Sequence, residues 1–389
     1  MFRWTYAALA AVVGALVIGF ATSSLAASST PRISVSEFTN NFSAMGKLAA
    51  LAKEGKGKVA AILPDTVSST RYVEFDQPDI KKSLEAAKVP GGDIIIQNAL
   101  GSDTTELTDA ESDITNGATV LLMDPLDSGV GAQIENYAKA HGVYVIDYDR
   151  LTLGGSRKYY VSFNNVRVGE LLGKGMVSCI SEWHVKKPQL VVMHGAVTDN
   201  NATLFYEGYY NHVLAAYFKS HKYVDVQNTA GTWEPEVALT EFEGAITAHP
   251  NINAALIPND ETGAPIISYL KSHGVKPHTF PTTGQDATLT GLQNVLSGYQ
   301  CGTVYKPIYL EAQAAVSLAL YLRADKTPPS SLVNGSTTDT VEKKAVASVL
   351  MTPEWVTTSN MKSTIVKDNF VPTAELCRGY AKQCKAAGI

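Results

Sequence analysis

The chain has 389 residues, 45% hydrophobic and 18% charged, with 32 basic against 37 acidic side chains and a formal charge of −5. That composition excludes the disordered, collagen-like and strongly basic classes. With no long Lys/Arg run to neutralise phosphates, no nucleic-acid partner is expected. At roughly 100 to 200 residues per domain, the length predicts two domains or three.

Taken in chain order, Arg3 precedes an apolar stretch from Ala7 to Phe20, and Ser24 and Ala26 supply the small residues of a cleavage site. The apolar stretch falls short of the roughly 20 residues needed to span a bilayer. Residues 1–26 are therefore expected to be a secretory signal peptide and the mature protein to be exported. Residues 27–57 read as a polar N-terminal extension, amphipathic between Phe38 and Lys53, with a Gly/Lys-rich link up to Lys58.

From Val59 onward, short apolar runs alternate with longer segments of helical periodicity. The runs are Val59 to Leu63, Asp93 to Gln97, Thr119 to Met123, Val143 to Ile146, Tyr159 to Phe163, Gln189 to Met193, Tyr223 to Gln227, Ala254 to Ile257, Thr279 to Thr283 and Gly302 to Tyr305. Near-continuous apolar strands separated by helices predict an α/β fold with parallel sheets covered on both faces. These units are too many for one sheet, and the break near Arg150 to Gly155 predicts two doubly wound lobes. Export also implies an oxidising compartment. Cys377 and Cys384 are close in sequence and predict a small closed loop, leaving Cys179 and Cys301; four cysteines allow three connectivities, and the sequence does not choose.

In open α/β sheets the ligand site lies beyond the carboxyl ends of the strands. The residues there are strongly polar: Asp65, Asp124, Asp149-Arg150, Asn164-Asn165, Asp199-Asn200-Asn201, Trp233, Asn259-Asp260, Gln285-Asp286 and Lys306. Carboxylates and amide oxygens accept from a sugar hydroxyl, whereas Arg, Lys and amide NH₂ groups donate to it. At about 1.5 to 3 kcal/mol for each bond to a charged partner, four or five reach micromolar affinity after the cost of immobilisation. An indole such as Trp233 stacks on the apolar face of the ring. Singly, Asp and Asn at these positions equally read as helix caps, Trp233 as core and Arg71 as a surface charge; the functional reading rests on the set.

Enzyme motifs do not appear. The first strand is followed by Pro64-Asp-Thr-Val-Ser-Ser-Thr-Arg71 rather than a G-x-G-x-x-G loop, and the sequence has no phosphate-binding Gly-Lys-Ser/Thr loop, G-x-S-x-G elbow or H-E-x-x-H pair. His184, His194, His212 and His221 lack metal-ligand spacing, so neither metal nor cofactor is expected. Paired carboxylates keep a secreted glycoside hydrolase as an alternative, although nothing selects an acid and base pair.

Several segments together resemble the periplasmic sugar-binding proteins of ABC importers, and within them the D-xylose-binding branch. They are Val145-Ile-Asp-Tyr-Asp-Arg150, Tyr160 to Glu170, Thr198 to Ala202, Ile257-Pro-Asn-Asp260, Gly284-Gln-Asp-Ala287 and Thr303-Val-Tyr-Lys-Pro-Ile308. The resemblance covers about residues 57 to 370. It implies the type I periplasmic binding protein fold, with two lobes joined by a three-crossing hinge: residues 58–150 plus 307–335, and residues 151–306 plus 336–389. Crossings are then expected near Leu151, near Lys306 and between Ser330 and Thr340. Cys179 and Cys301 would share the second lobe.

Carried over residue by residue, the resemblance implies a ligand set of Arg71, Tyr72, Asp149, Arg150, Asp199, Asn200, Asn201, Trp233, Asn259, Asp286 and Lys306. Two departures are visible: Tyr72 stands where the xylose-binding branch has Trp, and Ser162-Phe163-Asn164-Asn165 stands where it has Ser-Phe-Asp-Asn. The implied function is therefore capture of a monosaccharide, a xylose-like pentose or a hexose, by a monomer that is not an enzyme and delivers it to a membrane permease. Presentation of the sugar to a chemoreceptor or kinase is the alternative. A transcriptional regulator with the same sensor would need a DNA-binding segment ahead of residue 57 and no leader, contrary to this sequence.

Overall fold

The computed structural model describes residues 1–2 and 30–389. The expected signal peptide falls almost wholly outside the described residues. Among them no helix is long and apolar enough to cross a membrane.

Lobe 1 is built on a seven-stranded sheet of order β10-β11-β5-β4-β3-β1-β2. Its strands are β1 (Lys58–Leu63), β2 (Ile94–Asn98), β3 (Ala118–Met123), β4 (Tyr144–Tyr148), β5 (Tyr159–Phe163), β10 (Gly335–Asp339) and β11 (Lys344–Met351). All neighbours are parallel except the β10–β11 hairpin. Buried Val, Ile, Leu and Ala fill β1 and β3, as strands sandwiched between helices require. Lobe 2 carries the parallel sheet β7-β6-β8, from β6 (Gln189–Val192), β7 (Val224–Asn228) and β8 (Ala254–Leu256). Single bridges, Ala255 to Thr282 and Gln285 to Val304, extend it to β9 (Thr303–Tyr305), which pairs antiparallel with β12 (Glu354–Val356).

This pairing corrects the expected division of the chain. The break after Arg150 comes one strand too early: β5 lies beside β4, with Ile146 opposite Tyr159, and the β10–β11 hairpin covers the other side of β5. Residues 159–163 and 335–351 thus belong to lobe 1. The chain passes between sheets at Asn164, at Lys306-Pro307 and at Thr352-Pro353, not near Leu151 or between Ser330 and Thr340. The loop at 151–158 had the look of a linker, but a buried ion cluster fixes it: Arg157 meets Asp339 at 2.6 Å and Glu135 at 3.3 Å.

The N-terminal segment is likewise no appendage. Ile33, Phe38, Phe42, Met45, Leu48 and Leu51 are buried in the main core cluster, with the apolar helix Ile308–Arg323 part of the same cluster. Two disulfides close lobe 2 and its tail: Cys179 joins the helix Asn165–Glu182 to the loop before β9 through Cys301, and Cys377 pairs with Cys384.

Candidate ligand site between the lobes

The carboxyl ends of both sheets face each other across a cleft. It is lined by Ser68, Ser69, Arg71, Tyr72, Asp149, Arg150, Asp199, Asn201, Phe205, Trp233, Asn259, Gln285, Asp286 and Lys306. Ten of the eleven expected residues therefore converge. About 310 Å³ of the cleft is free of atoms, solvent at the mouth included. Direct hydrogen bonds across the cleft hold the two lobes against one another.

From lobe 1, Asp65 caps the turn after β1, accepting from the Val67 and Ser68 amides at 2.7 Å each. That turn delivers Arg71, which is 1% exposed. Its guanidinium donates twice to Asp76 (2.7 and 2.9 Å), once to Glu311 (2.8 Å) and once to Asp149 (2.9 Å). Of its five N–H donors, the protein leaves one for a ligand. Asp149 follows β4 in the left-handed region, φ 56°, with its carbonyl accepting from Tyr160 Oη at 2.8 Å and Asn201 Nδ2 at 2.9 Å. Burial opposes the charge on its carboxylate, but Arg71, Lys306 and Arg150 outweigh it and hold the group down at about 2.

Arg150 spreads across the cleft floor. It donates from Nη2 to Tyr72 Oη at 3.0 Å and from Nη1 to the Pro125 and Leu126 carbonyls at 3.3 Å. Its Nε stands 3.5 Å from Asp199 and 3.6 Å from Asp124. Burial pushes the Asp124 carboxyl well up, and neither of its oxygens has a hydrogen-bond partner.

From lobe 2, Asp199 caps the helix Asn200–Tyr206 and accepts from Trp233 Nε1 at 3.0 Å, which fixes the indole. Burial raises its pKa. Trp233 lies edge-on to Phe205, 6.4 Å between centroids, and against Gly195, where a Cβ would come within 2.2 Å of the ring. Lys306 approaches Asp286 at 3.1 Å and Asp149 at 3.7 Å; burial opposes its charge, but these carboxylates raise its pKa. Hydrogen bonds also join the lobes directly, among them Ser69 Oγ to Asp286 (3.0 Å), Asn259 Nδ2 to the Ser68 carbonyl (2.9 Å) and the Thr70 amide to Glu261 (3.2 Å), beside the bond from Asn201 to the Asp149 carbonyl.

Asn200 is the exception. Asp199 is the extended cap residue, and Asn200 and Asn201, the first two residues of the helix, point about 100° apart, so Asn201 lines the cleft while Asn200 lines a separate cavity beside the hinge. Ser68, Ser69, Phe205 and Gln285 were not among the expected residues, although Gln285 directly precedes Asp286 and Phe205 closely follows the Thr198 to Ala202 segment. Glu311 was missed behind them; its signal was a lone carboxylate in an apolar helix. Among the described residues no group of three or more His, Cys, Asp or Glu is placed to hold a metal ion.

A model of the periplasmic binding protein domain matches residues 59–327. The chain belongs to the periplasmic binding protein family. Among such binding proteins, the D-xylose-binding periplasmic protein of Escherichia coli K12 is 34% identical over 304 residues, covering 77% of this chain and 88% of its own. The multiple sugar-binding periplasmic receptor ChvE of Rhizobium radiobacter is 29% identical over 336 residues, covering 82% and 92%. A carbohydrate transporter solute-binding protein from Chloroflexus aurantiacus, solved with D-glucose, superposes with a TM-score of 0.70 at 25% identity, covering 82% of this chain and 97% of that one. The fold is that of type I periplasmic binding proteins.

Proposed function

We propose that this periplasmic binding protein captures a neutral monosaccharide, a xylose-like pentose or a hexose, between its lobes. Closure then presents it to the permease of an ABC transporter. The observation that carries this reading is the ring of opposed donors and acceptors, Asp149, Arg150, Asn201, Asn259, Asp286 and Lys306, drawn from both lobes around the Trp233 indole. A sugar's hydroxyls need such alternation, and its C–H face needs the plate.

The direct bonds between Ser69 and Asp286, and between Asn259 and Ser68, are ones a ligand would take over, which couples binding to lobe position. The exported chain would act as a periplasmic monomer, without catalysis. Presentation to a chemoreceptor or kinase remains a second reading, favoured by the similarity to a protein named as a receptor.

Calorimetry of the mature protein against pentoses and hexoses tests the proposal. At least one monosaccharide should bind at micromolar Kd or tighter, and Trp233→Ala or Asp286→Ala should weaken it at least tenfold. Binding of an amino acid, nucleoside or oligosaccharide in place of every monosaccharide would overturn it, and turnover of a glycoside would overturn the non-enzyme reading.

A further inference from the structure

Given the lobe movement proposed above, on which this rests, we infer that Asp124 is a positioning residue. It sets how readily the lobes come together by competing with Asp199 for the single Nε hydrogen of Arg150. Asp124 directly follows β3 on lobe 1, and Asp199 caps the first helix after β6 on lobe 2. The Arg150 Nε stands between them, 3.6 Å from the one and 3.5 Å from the other. Both distances exceed the roughly 2.7 to 3.2 Å of an N–H···O bond, and Nε carries one hydrogen. Only one of the two carboxylates can take it fully.

The rest of the guanidinium belongs to lobe 1, where Nη2 donates to Tyr72 Oη and Nη1 to the Pro125 and Leu126 carbonyls. Arg150 and Asp124 therefore travel together. Asp199 is tied instead to lobe 2, accepting from the Asn201 amide at 2.8 Å and the Trp233 indole at 3.0 Å. When the lobes part, Asp199 withdraws and Asp124 alone is left to take the Nε hydrogen. When they meet, Asp199 draws that hydrogen away. Asp124, 0% exposed, then keeps two oxygens with no hydrogen-bond partner. A buried carboxylate left so is costly. The pair within lobe 1 thus favours parted lobes, and a ligand in the cleft must supply the difference.

Taking up a proton relieves that cost. The charged and titratable groups around Asp124 are Arg71, Tyr72, Asp76, Asp149 and Arg150 on its own lobe, with Glu106 beyond Arg150 and Asp199 across the cleft. Burial raises the Asp124 pKa well above its ordinary value and Asp149 adds to the rise, while Arg150 and Arg71 offset only part of it. Bonded to the Arg150 Nε with the lobes parted, the same carboxyl ionises more readily. Bringing the lobes together therefore takes up a proton at Asp124, and the penalty shrinks as pH falls.

Small-angle X-ray scattering of the sugar-free mature protein tests the balance directly. Asp124→Asn, which keeps the side-chain shape and removes the charge, should have a smaller radius of gyration than wild type. Calorimetry with the cleft sugar should show Kd lowered at least threefold by Asp124→Asn at pH 7, with the gain shrinking toward pH 5. A side chain that merely supported the strand end would give the opposite sign, weaker binding at every pH. In wild type, calorimetry in buffers of different ionisation enthalpy should show net proton uptake on binding. Equal radii, unchanged or weaker binding, a gain independent of pH, or no proton uptake by wild type would overturn the proposal. If Asp124→Asn loses its cooperative melt, Asp124→Ser takes its place, and the wild-type proton count needs neither. The scattering arm needs no sugar, so its failure is distinct from failure of the sugar assignment.

Discussion

Replacing Arg71 with Met isolates the part of the site that the protein itself holds in place. The guanidinium is 1% exposed and makes four bonds to three buried carboxyl groups, Asp76, Asp149 and Glu311. Breaking a buried pair by removing one partner costs about 3 to 5 kcal/mol, because the other charge is left uncompensated. At about 2.1 cal/mol/K of unfolding entropy per residue, a chain of this length loses about 4 to 7 °C of Tm for that amount.

The pH dependence carries the sharper signature. The Asp149 carboxyl is held at about 2 in the fold, against about 4 unfolded. Its contribution to wild-type stability is therefore present above about pH 4 and lost as pH falls through about 2. Without Arg71, Asp149 keeps only Lys306 and Arg150 against its burial and its pKa rises, and Glu311, already raised by burial, rises further, so the folded variant takes up protons at higher pH than the wild type. The deficit should be largest at pH 7 and shrink toward pH 4. Scanning calorimetry of both sugar-free proteins measures it. A deficit under about 1 kcal/mol, or one equal at pH 7 and pH 5, would refute the argument that uncompensated carboxylates cause the loss.

Three further outcomes are expected. Gly195→Ala should weaken sugar binding at least tenfold by calorimetry, since the new Cβ would sit 2.2 Å from the Trp233 ring and the plate must shift. Replacing Cys179 and Cys301 with Ser should cost about 5 kcal/mol in the chain-entropy account of disulfides, and replacing Cys377 and Cys384 about 2 kcal/mol, because the closed loops span 122 and 7 residues; chemical denaturation of both variants checks the order. A chain starting at Lys58 should show no cooperative melt. It loses Ile33, Phe38, Met45, Leu48 and Leu51 from the core, at about 1.5 to 3 kcal/mol each, against a total stability of about 5 to 15 kcal/mol.

The strand ends were legible because their signal is local: an apolar run followed by Asp, Asn, Arg or Trp needs no knowledge of the partner strand. Asp199, Trp233, Asp286 and Lys306 come from separate elements, and each could be read alone. What sequence hid was pairing. β5 and the β10–β11 hairpin belong to lobe 1 because of hydrogen bonds between Tyr160 and Ser348 and their neighbours, distant in the chain and silent in its periodicity. The run at Thr279 to Thr283 contributes only the bridge from Thr282 to Ala255 rather than a full strand. Asn200 was misplaced by rotation, since three polar residues in a row cannot all face one cleft once a helix begins at the first Asn. The segment before Lys58 looked polar as a string, yet its apolar residues share one face and pack into the core.

The strand β11 that flanks β5 also sets an order of assembly. Lobe 2, apart from β12 and the tail, is encoded in one stretch between Asn165 and Tyr305, so its contacts can all form once that stretch is available. Lobe 1 must wait: until Lys344–Met351 arrives, β5 is an open edge, with unpaired backbone groups ready to recruit another chain. Pairings between such distant segments form slowly. For the exported carrier proposed above, this lateness keeps lobe 1 unlocked until almost the whole polypeptide is on hand. The same delay makes β5 the edge where an incomplete or stalled chain would begin to aggregate.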